Sequence, residues 1–159
     1  MGVETEKKTR ACALYSYRAD PTVPAFDDSA PLYIFDGFCV LCSEGVKWMV
    51  RRDPDGHSKL LAVQSPLARA LYEHYGLDPD KFDTFMVLKA GRPYFRYRGW
   101  LEAAKTMPAP WKWLGLAGHI VPEFIGDFFY DIIQRNRFDW FGKRETCLVP
   151  DAKTAARFL

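Results

Sequence analysis

Long apolar runs and long basic runs are both absent from this sequence. No segment approaches the roughly 20 consecutive apolar residues that a membrane-spanning helix requires. Residues Met1–Arg10 are charged and polar, with no apolar run behind them, so a secretory signal is not predicted. The formal net charge is only +2, and no basic cluster is long enough to follow a phosphate backbone. We therefore expect no nucleic-acid partner, and the sequence does not favour membrane association.

Cysteine is also scarce. The chain has four cysteines, and only Cys39 and Cys42 lie close together, which argues against a disulfide framework and favours a reducing, cytoplasmic compartment. A structural zinc site takes four ligands, usually from two close pairs. Cys12, Cys147 and three scattered histidines do not supply a second pair. A redox pair is therefore favoured over a metal half-site, and inert packing of two core cysteines is the third interpretation.

Apolar side chains are plentiful. Hydrophobic residues make up 48% of the chain and aromatic residues 16%, which is enough for one folded domain with its own core. We place this domain at residues 32–150, after an extended leader over residues 1–31 and before a tail over residues 151–159. The leader carries three prolines and little periodicity, so we expect only one short ordered stretch in it, Ala11–Tyr17.

The order of strand and helix signals predicts the fold class. A short βαβ start supports a parallel pair of strands, and a later hairpin around Ala90-Gly91-Arg92 adds two antiparallel strands on one side. This order is the thioredoxin-like plan, an α/β fold with a central sheet flanked by helices. The predicted strands are Leu32–Phe35, Lys59–Val63, Thr84–Lys89 and Pro93–Tyr97, and the predicted helices are Cys39–Arg52, a helix that starts at Ser65-Pro66 and ends at Gly76, and Trp100–Thr106.

An α-helical C-terminal extension is predicted over residues 111–135. Four apolar residues in it recur at every fourth position: Ile120, Phe124, Phe128 and Ile132. This spacing favours core packing against the sheet. A surface that holds a membrane or a protein partner is the alternative interpretation.

Several separated motifs resemble one known family. They are Asp36-Gly37-x-Cys39-x-x-Cys42 after the first strand, Val63-Gln64-Ser65 after the second, Asp83-Thr84 at the third, and Asp131 to Cys147 with Arg135-Asn136-Arg137 and Trp140-Phe141-Gly142. Together they resemble the DCC family of predicted thiol-disulfide oxidoreductases over roughly residues 32–150. The resemblance implies a thioredoxin-like fold and thiol redox activity.

The position of the two cysteines predicts their roles. Cys39 falls at the N-terminus of a helix, where free N–H groups and the positive end of the helix dipole favour a thiolate. Cys42 lies one turn later on the same face. Cys39 is therefore the predicted attacking thiolate and Cys42 the resolving thiol. Val40-Leu41 between them supplies no cation, so we expect a moderately lowered pKa and a reductant rather than a strong oxidant.

This interpretation also predicts the partners, and it needs no cofactor. Electrons would come from another thiol protein or a small thiol, and the partners are protein or small-molecule thiols and disulfides. No bound cofactor or metal is required. The alternative function is a non-catalytic thioredoxin-like module that uses the aromatic C-terminal region to hold a protein or membrane partner.

Other candidate residues keep two interpretations each. Asp36 either caps the turn before the helix or serves as a catalytic residue that relays the proton of Cys42. Cys147 is expected to be structural rather than a third redox thiol. Arg135 and Arg137 are expected to cap the C-terminus of a helix rather than bind an anion. No proline directly precedes the third strand, since Pro79 lies too early, so the partner-docking surface should differ from that of thioredoxin.

Overall fold

The computed structural model describes residues 13–81, 84–152 and 154–159. Cys12 and Asp83, and the first two residues of the stretch predicted at Ala11–Tyr17, lie outside these ranges. The strands are β1 (Leu32–Phe35), β2 (Lys59–Ala62), β3 (Met86–Lys89) and β4 (Arg92–Phe95). The α-helices are α1 (Val40–Arg51), α2 (Pro66–His74), α3 (Arg96–Lys105), α4 (Trp111–Ala117) and α5 (Glu123–Phe141).

The four strands form one mixed sheet in the order β2-β1-β3-β4. β1 is parallel to β2 and antiparallel to β3, and β3 is antiparallel to β4. The turn between β3 and β4 contains Ala90 and Gly91, which both have positive φ angles, as tight hairpins with the right-handed strand twist require. The predicted thioredoxin-like α/β fold is confirmed, and β1 has the predicted bounds.

Every residue of β1 is buried, which shows that the core lies on both faces of the sheet. Leu32 and Ile34 point to one face, where they pack with residues of α2. Tyr33 and Phe35 point to the other face, where they pack with residues of α1 and α3. A strand buried on both faces reads as a continuous apolar run, which is why β1 was predictable.

β3 begins two residues later than predicted. The carbonyl of Thr84 accepts a hydrogen bond from the Tyr72 hydroxyl, and the backbone N–H of Phe85 donates to the Tyr130 hydroxyl at 2.8 Å. These two backbone groups bond to side chains instead of to a neighbouring strand. Thr84 and Phe85 therefore lie outside the sheet, although they belong to the predicted strand.

The boundary between β4 and α3 differs in the same way. The predicted strand Pro93–Tyr97 ends at Phe95, and the helix predicted at Trp100 begins at Arg96. Arg96 has a φ of 53°, which breaks the extended conformation, and its guanidinium pairs with Asp131 on α5. The turn is accompanied by this contact with a helix that lies much later in the sequence.

The predicted C-terminal extension is helical, but its end was placed too early. α4 and a 3-10 turn at Gly118–Ile120 precede α5, which continues to Phe141 rather than stopping at residue 135. Gly142 ends the helix with a φ of 87°, a conformation that favours glycine. The basic residues expected at the helix C-terminus therefore lie inside the helix.

The aromatic stripe of the extension is on the surface, so the prediction of core packing is wrong. Phe124 is 75% exposed and Phe128 62% exposed. The buried face of α5 consists instead of Gly126, Tyr130 and Arg137. Acidic side chains of α5 also contact α3, as Asp131 does at Arg96, and apolar side chains occupy much of the remaining surface of the helix. Among the described residues, no helix is long and apolar enough to cross a membrane.

The segments at both ends of the described residues pack against the domain. Tyr17 and Val23, within the predicted leader, are buried in the core. Near the other end, the Phe158 ring meets Phe35 edge-on with their centroids 6.3 Å apart, and Arg157 pairs with Asp53 at 2.5 Å. The domain boundaries proposed from the sequence stay a prediction.

Gly126 of α5 lies against the Tyr97 ring of α3. A Cβ atom at this position would lie 2.1 Å from Cδ1 of the Tyr97 ring. We expect Gly126→Ala to lower the free energy of unfolding by about 1–3 kcal/mol through overpacking, although alanine is the better helix former. Urea unfolding tests this prediction. Asp139→Ala, at an exposed position of α5, is the control and should stay within about 0.5 kcal/mol.

Candidate functional site

The two close cysteines lie at the end of β1 and the start of α1. Cys39 is the N-cap residue of α1, and its Sγ accepts a hydrogen bond from the backbone N–H of Cys42 at 3.2 Å. Both cysteines are free thiols. A sulfur in the N-cap position receives the helix N–H groups that have no partner within the helix. The predicted placement of the pair is confirmed.

Hydrogen bonding and charge favour a thiolate on Cys39. The hydrogen bond from the Cys42 side chain is the largest influence, and it lowers the pKa of Cys39 to about 7. The backbone N–H of Cys42 and the positive charge of Arg137 act in the same direction, whereas burial and Asp36 oppose them. A pKa close to neutrality places a large fraction of Cys39 in the reactive form at physiological pH.

Cys42 holds the proton of the pair. Its hydrogen bond to Cys39 raises the pKa of the Cys42 thiol above its ordinary value, and burial and the negative charge of Cys39 add to this rise. One proton therefore lies between two sulfurs that differ in their affinity for it. This arrangement prepares a thiolate and a thiol next to each other, as a dithiol–disulfide cycle requires.

Asp36 caps the turn before the cysteines, as one of its two interpretations predicted. Its Oδ1 accepts hydrogen bonds from the backbone N–H of Phe38 at 2.9 Å and from Nε2 of Gln64 at 2.8 Å. Its Oδ2 accepts from the guanidinium of Arg137 at 3.1 Å. The carboxylate is buried and is held by contacts from three separate parts of the chain.

Arg137 is the residue of this candidate site that the sequence interpretation misplaced. It was expected to cap a helix end, but α5 continues past it. Its side chain is 3% exposed and forms a buried ion pair with Asp36. The pattern of α5 contained a signal, because Arg137 lies seven positions after the buried Tyr130 and therefore on the same helix face. A cation on a buried face requires a buried anion.

Gln64 is a second residue of the site to which the sequence interpretation gave no role. It follows β2 as Asp36 follows β1, and the two strands are parallel neighbours. Because the carboxyl ends of parallel strands meet at the same sheet edge, this adjacency was available from the predicted topology. Besides bonding Asp36, the Oε1 of Gln64 accepts from the N–H of Gly37 at 3.3 Å.

Cys147 lies close to the loop that contains Gly37. Its thiol donates to Oε1 of Gln64 at 3.7 Å, and a Cβ atom at Gly37 would lie 2.3 Å from its sulfur. Burial raises the pKa of the Cys147 thiol. These contacts agree with the structural role that the sequence favoured.

The segment after α5 covers Cys39. Lys143 forms a β-bridge with Cys39, and the backbone N–H of Arg144 donates to the carbonyl of Phe38 at 2.7 Å. The backbone N–H of Leu148 donates to the carbonyl of Gly37 at 3.0 Å. As a result Cys39 is 0% exposed. The sulfur with the lowered pKa is the one that solvent does not reach.

Cys42 instead forms part of the wall of a large cavity. The cavity has a volume of about 710 Å³ and lies between the start of α1, α3 and α5. Its wall includes Cys42, Asp36 and Arg137 but not Cys39. Its other lining residues are mostly apolar, among them Phe35, Leu41, Phe85, Trp100, Ile125, Phe129, Tyr130, Ile133 and Phe141.

The third-strand region supplies another part of this wall. Thr84 and Phe85, which precede β3, line the cavity, and the Phe85 ring stacks on Trp100 with their centroids 4.6 Å apart. These residues occupy the place where the sequence analysis noted no proline. The surface beside the cysteines is therefore an aromatic pocket wall.

The three histidines have other partners. His74 bonds to Asp20 and Ser16, His57 to Asp53, and His119 to the carbonyl of Gly115. In the part of the chain that the structure describes, no three histidine, cysteine or acidic side chains are grouped as metal ligands.

Comparison with known proteins gives a consistent family. Residues 33–143 match the family described as DCC1-like thiol-disulfide oxidoreductase. The chain is 33% identical over 126 residues to uncharacterized protein YuxK of Bacillus subtilis (strain 168), which covers 79% of this chain and 91% of that protein. It is 29% identical over 121 residues to DCC family protein At1g52590, chloroplastic, of Arabidopsis thaliana, which covers 76% of this chain and 70% of that protein.

No solved structure shows significant similarity to the chain. The family match nevertheless covers the sheet except its first residue, the cysteine pair and all of α5, which is well over half of the sequence. It agrees with the resemblance that the separated motifs indicated. The chain therefore belongs to the DCC1-like thiol-disulfide oxidoreductase family.

Proposed function

We propose that this protein is a thiol-disulfide oxidoreductase that cycles Cys39 and Cys42 between a dithiol and a disulfide. The observation that carries the proposal is the environment of Cys39, whose pKa is lowered to about 7 by the neighbouring Cys42 and by Arg137. Cys42 lies one helical turn away and bonds to the same sulfur. A stabilised thiolate beside a second thiol is the arrangement that thiol exchange uses.

The direction we propose is reduction of a substrate disulfide. The pKa of Cys39 is lowered only moderately, and a strong oxidant needs a much more stable thiolate. The proposed electron donors are thiol proteins or small thiols in a reducing, cytoplasmic compartment, and no bound cofactor takes part. Asp36 would assist by holding Arg137 against the pair and by exchanging the proton of Cys42.

Two observations disagree on which of the two sulfurs attacks the substrate. The sequence predicts that Cys39 attacks and Cys42 resolves, and the lowered pKa of Cys39 supports this order. Access opposes it, because Cys39 is buried beneath the segment around Lys143 while Cys42 lines the cavity. A thiolate must reach the substrate sulfur in order to attack it.

A redox titration tests the proposed function. The protein is equilibrated in mixtures of reduced and oxidised dithiothreitol, quenched with acid, alkylated, and weighed by mass spectrometry. We expect two thiols to be lost together as the mixture becomes oxidising. Cys147→Ser should keep this transition, whereas Cys39→Ser and Cys42→Ser should each abolish it. A wild-type protein that retains all its thiols throughout the oxidising range would contradict the proposal.

The exposed aromatic surface supports a second candidate function. A non-catalytic module would use the surface residues of α5, such as Phe124 and Phe128, to hold a protein partner. Their exposure favours this reading, because contiguous apolar surface on a domain marks interaction sites. The double variant Cys39→Ser/Cys42→Ser separates the two functions. A binding module keeps its partner without the cysteines, whereas the oxidoreductase loses its redox transition.

A further inference from the structure

The cavity beside α1 gives access to only one of the two redox sulfurs. Cys42 lies in its wall, whereas Cys39 does not and is completely buried. Phe129, Ile133 and Phe141 also line the cavity and are themselves partly exposed, so the cavity opens to the surface along α5. A molecule that enters by this route meets the Cys42 sulfur.

The wall of the cavity favours apolar ligands over charged ones. Most of its lining side chains are aromatic or aliphatic. Its two charged groups, Asp36 and Arg137, already pair with each other at 3.1 Å. A charged ligand would lose its hydration here without gaining a counter-ion, which is costly. An apolar ligand would bury its surface at no such cost.

The size of the cavity points to a small molecule. Its volume of about 710 Å³ lies within the range of about 300–1,000 Å³ that ligand pockets have. Building on the proposed oxidoreductase function, we infer that the cavity is the substrate site and that it takes small disulfides with apolar substituents. We further infer that Cys42, rather than Cys39, attacks them.

The chemistry balances with Cys39 as base and resolving nucleophile. The Cys42 thiol passes its proton to the Cys39 thiolate and attacks one substrate sulfur, which breaks the substrate disulfide and releases the first substrate thiolate. Cys39 returns the proton to that leaving group. The Cys39 thiolate then attacks Cys42, forms the protein disulfide and releases the second substrate sulfur as a thiolate. Two electrons pass from the cysteines to the substrate.

This order of events makes use of the buried thiolate. The resolving sulfur needs to reach only Cys42, whose backbone N–H lies 3.2 Å from it. It needs no access to bulk solvent, and only its proton has to reach the leaving substrate thiolate beside Cys42. Burial of Cys39 is then compatible with its role as the resolving thiolate, because in that step it attacks only the adjacent Cys42.

Trapping the mixed disulfide tests which sulfur attacks. The variant that lacks the resolving cysteine should accumulate an adduct with dibutyl disulfide, detected by intact mass. The two variants are compared at about pH 9, because Cys39→Ser also lacks the base that accepts the Cys42 proton and hydroxide must replace it. We expect Cys39→Ser to carry the butylthio adduct on Cys42, and Cys42→Ser to form an adduct on Cys39 at least about tenfold more slowly. Faster modification of Cys39 in Cys42→Ser would overturn the inference and restore the order that the sequence predicted.

Two neighbouring isoleucines of α5 test the substrate class. Ile133 lines the cavity and is 42% exposed, whereas Ile132 does not line it and is 37% exposed. Ile133→Gln should slow oxidation of the reduced protein by dibutyl disulfide by about five- to tenfold, since apolar contact is lost. Its rate with the more polar hydroxyethyl disulfide should fall by less than about twofold, because that substrate gains less from apolar contact. Ile132→Gln should leave both rates unchanged, and equal effects of the two variants would refute the assignment.

A binding measurement separates this inference from the proposed function. The fluorescent apolar probe N-phenyl-1-naphthylamine is titrated into Cys39→Ser/Cys42→Ser, which carries out no redox chemistry. We expect binding that Ile133→Gln weakens about fivefold and Ile132→Gln does not. Such binding without a redox transition in the wild type would reject the oxidoreductase and keep the apolar site. A redox transition without such binding would reject the apolar substrate site alone.

Discussion

Arg137→Met is expected to lower the free energy of unfolding by about 3–5 kcal/mol, because it leaves a buried carboxylate without its counter-ion. Asp36 and Arg137 are both buried and lie 3.1 Å apart. Methionine fills much of the same volume, so the main loss is electrostatic rather than a cavity. Urea unfolding of the reduced protein measures the effect.

Two further variants show whether the lost charge is the cause. Arg135→Met replaces an exposed arginine on the same helix and should change the stability by less than about 0.5 kcal/mol. Asp36→Asn combined with Arg137→Met removes both charges and should recover part of the loss. A double variant no more stable than Arg137→Met would argue against an unpaired carboxylate as the cause.

Loss of Arg137 should also change the pKa of Cys39. Its positive charge is one of the influences that lower the pKa of Cys39. We therefore expect the pKa of Cys39 in Arg137→Met to rise, so that less thiolate is present at pH 7. A variant that loses stability but keeps the wild-type thiolate titration would limit Arg137 to a structural role.

The second large effect is expected in Cys42→Ala. The hydrogen bond from the Cys42 side chain is the largest influence that lowers the pKa of Cys39 to about 7. Without it the pKa should rise toward the ordinary value of 9.0. The thiolate fraction at pH 7 would then fall from about one half to about 1%. The ultraviolet absorbance of the thiolate, followed while the pH rises, measures this change.

Serine at the same position is the matched control. The hydroxyl of Cys42→Ser can still donate a hydrogen bond to the Cys39 thiolate, so we expect the Cys39 pKa to lie between those of the wild type and Cys42→Ala. Cys39→Ser should show no thiolate signal near pH 7. Identical titrations of the serine and alanine variants would contradict the assigned hydrogen bond.

The aromatic surface of α5 shows why periodicity alone misassigned a helix. Phe124 and Phe128 have the spacing of a buried stripe, yet both are exposed. The contact with α3 is made by Gly126 instead, because only a residue without a side chain allows the Tyr97 ring to come so close. Apolar spacing identifies an apolar face but does not say whether that face meets the core, a ligand cavity or a partner.

The candidate site divides in the same way. The placement of Cys39 and Cys42 and the turn at Asp36 followed from residues a few positions apart. The partner of Asp36 did not, because Arg137 is 101 positions away along the chain and was assigned to a helix end that lies elsewhere. Gln64 is intermediate, since the predicted parallel pairing of β1 and β2 already brought it to the same sheet edge.

By itself the sequence determined the strand-turn-helix around the cysteines, the topology of the sheet and the family of the protein. The first depends on local hydrogen bonds and capping, the second on the order of strand and helix signals, and the third on several short motifs, and all of these are visible along the chain. Only the tertiary structure decided that Cys39 is buried, that Cys42 meets a cavity, and that Arg137 compensates the charge of Asp36. Those properties arise where α5 and the segment after it pack against the start of α1, a contact between distant parts of the chain that local rules do not determine.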